Sequence, residues 1–144
     1  MPNHFHVLLH LTHSGTSLNL MVSACKRFMA YDIVRGLKEQ NKENLLDVLK
    51  QGVPKKDRFK NKLHQVFKPS FDARLCHSEW MVEQKIDYIH HNPVRGKWNL
   101  VDDFARYKHS SAAFYELGEI GSVEITHYKS LGKIGEHGDP VRAR

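Results

Sequence analysis

The spacing of hydrophobic and polar positions changes period several times along this chain, and each change marks an element. Residues 1–11, M-P-N-H-F-H-V-L-L-H-L, alternate with period two. Phe5, Val7, Leu9 and Leu11 point to one side of an extended strand, and His4, His6, Leu8 and His10 to the other. T-H-S-G-T then reads as a turn, and Ser17 as the cap of a helix running to about Leu37. Leu18, Met21, Val22, Cys25, Phe28, Met29 and Ile33 supply that helix with a stripe expected to be buried. Lys26, Arg27, Arg35 and Lys38 occupy its remaining surface. A second helical piece covers residues 40–49, and residues 51–62 form a polar, strongly basic loop. Residues 71–76 and 123–128 read as short strands. Residues 106–115 read as a short helix or turn, and residues 135–144 as a disordered tail beyond one domain at 1–134.

Residues 78–93, S-E-W-M-V-E-Q-K-I-D-Y-I-H-H-N-P, predict a helix with two stripes. Val82, Ile86 and Ile89 fall at i, i+4, i+7 and form a face to be buried. Lys85, Tyr88 and Asn92 run along a neighbouring face at i, i+3, i+7. Ser78 is placed to cap the start, and Pro93 to stop the helix. A tyrosine one turn before an amide brings a hydroxyl and a ligand oxygen to one point, which suits a nucleophile beside a metal. For a lone helix, an amphipathic core tyrosine explains the same pattern.

His4 and His6 share a strand face, roughly 7 Å apart, so their imidazoles can converge on one cation. With 11 histidines in 144 residues, about 0.8 H-x-H pairs arise by chance. The bare motif therefore decides nothing.

Three segments in order say more: M-P-N-H-F-H-V-L-L, Y-I-H-H-N-P-V-R-G-K-W and Y-K-H-S-S-A-A-F-Y. Together they resemble the single-tyrosine HUH transposases, especially the branch called REP-associated tyrosine transposases, from Met1 to about Tyr128. The resemblance implies an α+β fold of the ferredoxin-like or RRM-like HUH endonuclease type, a small antiparallel sheet with helices on its faces. It matches His4 and His6 to the family's metal-binding histidines, Asn92 to the third ligand and Tyr88 to the nucleophile. Mg²⁺ or Mn²⁺ is the implied ion, although two neutral imidazoles suit Mn²⁺ or Zn²⁺ better by softness. His90 or His91 would replace Asn92 if the helix were rotated. The implied reaction is single-stranded DNA cleavage and strand transfer at a hairpin, through a 5′-phosphotyrosine. Ser110 and Ser111 match the family's S-S element, for which helix capping is the preferred role.

Composition adds a partner class. The net charge of +6 and pI near 9.4 suit a polyanion such as single-stranded or hairpin DNA. Lys55, Lys56 and Arg58 flank Phe59 in the basic loop, a composition that grips single strands by charge and stacking, or is only a solvated surface. Arg95 and Lys97 follow Asn92 across the bend that Gly96 permits, where they can meet a phosphate, and Lys85 lies one turn from Tyr88. Cys25 and Cys76 read as two buried, reduced thiols rather than a disulfide or a zinc site. No apolar run reaches a membrane span and no leader is visible, which points to a cytoplasmic protein without a membrane partner.

The chain departs from the family pattern at its start. Family members carry another strand and helix before the M-P-N-H-x-H strand, so the domain is expected to be N-terminally incomplete. The first strand should then keep an unpaired edge that promotes self-association. Its Phe5 face is expected under the helix from Ser17. Besides active cleavage, the sequence leaves open a hairpin-binding remnant with impaired catalysis and a histidine-rich metal binder of another purpose.

Overall fold

The computed structural model describes residues 1–11, 17–121 and 123–132. The turn expected at residues 12–16 and the tail at 135–144 lie outside the described residues. The chain divides into two compact units, one of residues 12–73 and the other of residues 1–11 and 74–144.

In the first unit, α1 (Leu18–Glu39) starts where Ser17 Oγ accepts a hydrogen bond from the Leu20 N–H at 3.3 Å. Asn41, at φ 54°, breaks the backbone path before α2 (Glu43–Gln51), which packs against α1. Leu46 and Val53 are buried here. The expected stripe of α1 is only partly covered: none of its residues is fully buried, and Phe28 is 58% exposed. Lys26 is drawn inward, donating to the carbonyls of Lys68 at 2.6 Å and Ser70 at 3.1 Å. A single turn, α3 (Lys55–Arg58), forms in the basic stretch read as a loop. This unit holds 12 of the 22 Lys and Arg but only 6 of the 16 Asp and Glu, so the whole net charge of +6 belongs to it. The other unit is balanced.

That other unit is built on α4 (Glu79–His91). Ser78 Oγ accepts from the Met81 N–H at 3.3 Å, as its position before an acidic first turn predicts. At the far end Pro93 ends the α-helix, and the chain tightens into a 3₁₀ turn at Asn92–Val94. Gly96 then adopts φ 67°, a left-handed conformation at the bend expected there. A 3₁₀ turn at Phe104–Arg106, α5 (Ala112–Leu117) and a 3₁₀ turn at Tyr128–Leu131 follow. Val82, His90, Pro93, Ala105, Ala112 and Tyr128 form the buried interior.

The expected α+β sheet fold, ferredoxin-like or RRM-like, is not what the chain forms. Among the described residues there is no strand, and the molecule is helical. Residues 1–11, 71–76 and most of 123–128 run as irregular chain, and Tyr128 begins a 3₁₀ turn. A strand exists only by hydrogen bonding to a neighbour about 4.8 Å away, and two or three short candidates make a marginal sheet at best. Period-two alternation selects faces and supplies no partner. The Phe5 face is not covered either: Phe5, Val7, Leu9 and Leu11 stay between 47% and 58% exposed. No helix of the described residues is long and apolar enough to cross a membrane.

Candidate metal and nucleophile site

The two-stripe reading of α4 describes how it sits in its unit. Val82 is buried, Ile86 and Ile89 are half-buried, and Lys85 and Tyr88 are exposed on the flank. His90 continues the buried face and is only 2% exposed. Its Nε2 lies 2.9 Å from Ser111 Oγ, which satisfies the ring where water cannot. Burial lowers the His90 pKa below the ordinary imidazole range, so the neutral ring is the form held there. The sequence had a signal for this placement, since Val82, Ile86 and His90 stand at i, i+4, i+8.

On the opposite flank, α4 meets residues 1–11. Asn92 Nδ2 and His6 Nε2 are 3.0 Å apart, and the His6 ring stands edge-on to Tyr88 at 5.6 Å between centroids. His4 and His6 are edge-on at 5.0 Å. His4, His6, Tyr88 and Asn92 thus form one cluster, joining positions more than eighty residues apart in sequence. The amide nitrogen only donates, so His6 Nε2 is the acceptor and carries a lone pair. By the same logic His4 Nδ1 donates to Asn3 Oδ1 at 2.7 Å. Partial burial, with His4 and the chain's amino terminus nearby, lowers the His6 pKa and favours its neutral form.

This donor set suits a divalent cation in one particular arrangement. Turning the Asn92 amide over puts Oδ1 where Nδ2 stands, an exchange of near-isosteric ends. Two ligand atoms at right angles on a cation with bonds of about 2.1 Å are about 3.0 Å apart, the spacing from Asn92 to His6. The Asn3 contact behind His4 orients an imidazole as an outer-shell partner does in metal sites. Among the described residues no group of three or more His, Cys, Asp and Glu side chains is placed to hold a metal, so a cation held here would need the Asn92 amide as well. His91 is turned elsewhere: its Nδ1 lies 3.0 Å from the Asp87 carboxylate and its ring packs on Phe104 at 4.0 Å. With His90 buried against Ser111, Asn92 is the residue of α4's end that reaches the histidines.

The cationic candidates divide. Lys85, Arg95 and Lys97 belong to the unit of the cluster and are exposed, with the Lys97 ammonium 5.0 Å above the Trp98 ring. Lys55 and Lys56 are exposed in the other unit. Arg58 is occupied, its guanidinium donating to the carbonyls of Val53 at 3.1 Å and Gln51 at 3.4 Å. Neither serine makes the expected side-chain cap: Ser111 stands at the N-cap position of α5 but its hydroxyl serves His90, and Ser110 accepts from the Ala112 N–H at 3.2 Å in a turn just before the helix. No family model, curated protein or solved structure matches the chain.

Proposed function

We propose that this chain is a divalent-cation-dependent enzyme that cleaves and rejoins single-stranded DNA at a hairpin, with Tyr88 as nucleophile. The observation that carries the proposal is the convergence of His6 and Asn92 at 3.0 Å beside Tyr88, joined to the resemblance of the segments that supply them. His4, His6 and Asn92 would hold Mg²⁺ or Mn²⁺, which supplies Lewis-acid neutralisation of phosphate oxygens. Tyr88, 52% exposed, is accessible to a strand, and its ring is steadied by His6. Its Oη bonds to phosphorus as the bond from phosphorus to the 3′-oxygen breaks, and the proton lost by the tyrosine ends on that 3′-oxygen. The product is a 5′-phosphotyrosine with a free 3′-hydroxyl. The phosphoester is conserved, so attack by another 3′-hydroxyl rejoins a strand.

The test is denaturing electrophoresis of 3′-labelled hairpin DNA incubated with the protein and Mn²⁺. A slow covalent band is expected for the chain as it stands. Tyr88→Phe should abolish the band and leave hairpin binding within about twofold, because only the attacking oxygen is removed. A band retained by Tyr88→Phe would sink the assignment. Hairpin binding without any band would instead favour a DNA-binding protein with impaired catalysis, the reading to which the irregular path of residues 1–11 lends support.

A further inference from the structure

α4 carries one conspicuous group that neither its buried face nor the cluster uses. Trp80 is 65% exposed, although tryptophan is among the most buried side chains on average. Trp80, Gln84 and Tyr88 stand at i, i+4, i+8, so their side chains follow one line along the helix. The line ends at the proposed nucleophile, about 12 Å from Trp80 at 1.5 Å per residue. These three, with Glu83, Lys85 and Asp87, border a shallow, open surface depression of about 450 Å³.

The two carboxylates at its edge are already engaged. Glu83 accepts from the Tyr128 hydroxyl at 2.7 Å and pairs with Lys129 at 3.6 Å, and Asp87 pairs with His91 at 3.0 Å. Still open are an indole face, a primary amide with two donors and an acceptor, and one ammonium. That combination recognises an unpaired nucleobase with its phosphate: stacking on Trp80, edge hydrogen bonds from Gln84, and charge from Lys85.

We propose that Trp80, Gln84 and Lys85 form a nucleotide subsite that holds an unpaired base about two to four nucleotides from the phosphate at Tyr88, judged from stacked spacings of about 3.4 Å. The subsite rests on the proposed reaction for its substrate, and it adds a specificity-determining contact that acts through strand position. Trp80 is a positioning residue: it fixes which phosphate arrives at Tyr88.

The chain contains two tryptophans, so Trp98→Phe leaves Trp80 as the single indole. In that full-length background, indole fluorescence is titrated with a hairpin carrying a single-stranded arm, with a blunt duplex and with anionic vesicles, while anisotropy of labelled DNA reports binding separately. The single-stranded arm should quench saturably and the duplex far less. Trp80→Ala should weaken binding by about 5- to 100-fold and Trp80→Phe should restore most of it. Trp80 is exposed, so circular dichroism of Trp80→Ala should match that of the parent. Tyr88→Phe should quench like the parent, and quenching by the parent itself without a covalent band would leave the subsite standing and refute the cleavage proposal. A covalent band with unquenched Trp80, or with unaltered binding by Trp80→Ala, overturns the subsite alone. Stronger quenching by vesicles, or no DNA binding at all, overturns it as well.

Discussion

Ser111→Ala isolates the contact that fixes how α4 is rolled in its unit. His90 is 2% exposed, and Ser111 Oγ at 2.9 Å is the partner of its Nε2. Removing the hydroxyl deletes one atom, so the cavity is negligible and the cost is that of a buried polar group left unpaired, about 1–3 kcal/mol. At about 3 °C per kcal/mol for a chain of this size, the melting midpoint of the transition that includes α4 should fall by about 3–9 °C. Thermal and urea unfolding followed by circular dichroism would measure it. Ser110→Ala is the natural comparison, because its hydrogen bond from the Ala112 N–H is worth about 0.5–1.5 kcal/mol yet does not involve His90. A double-mutant cycle with His90→Ala separates the two. Ser111→Ala should be coupled to His90→Ala by about 0.5 kcal/mol or more, and Ser110→Ala should be additive with it. An unchanged midpoint for Ser111→Ala, or additivity with His90→Ala, would refute the claim that this pair anchors the helix.

His6→Ala should abolish Mn²⁺ binding in calorimetry. Asn3→Ala, which removes only the group orienting His4, should weaken it about tenfold; equal affinities in all three proteins would place the cation elsewhere. For the basic stretch, replacing Lys55 and Lys56 with Gln should flatten the slope of log K against log salt by about 1.5–2 units. Arg58→Gln should instead lower the unfolding midpoint, because its guanidinium holds two carbonyls, and a slope unmoved by the lysine pair would make that stretch a solvated surface.

The sequence announced its helices through chemistry confined to a few residues. Ser17 and Ser78 cap where an oxygen precedes a helical repeat, Pro93 ends α4, and Gly96 makes the tight bend expected of it. The stripe of Lys85, Tyr88 and Asn92 was legible because helical spacing fixes direction. The sheet was misread because alternation in residues 1–11 specifies two faces, whereas a strand requires backbone partners that no periodicity encodes. The half-covered stripe of α1 has a similar origin: a run of apolar residues shows what is able to be buried, and packing against α2 decides how much is. Arg58 read as a free cation since its capture by Val53 and Gln51 carbonyls depends on backbone geometry. The Ser111 hydroxyl was assigned to capping for the same reason, its partner lying on another helix.

The uneven placement of charge gives the two units different electrostatic characters. All of the net +6 lies in residues 12–73, while the unit bearing His4, His6, Tyr88 and Asn92 is electrically neutral overall. Capture of any polyanion from solution is governed by long-range attraction, which added salt screens within about 8 Å at physiological strength. Events at the cluster act over a few ångströms, between groups already in contact. For the reaction proposed above, ionic strength would therefore control how often an encounter begins, with little leverage on the chemistry once a strand had arrived. A cell could retune the first by modifying lysines of the charged unit and leave the second as it was.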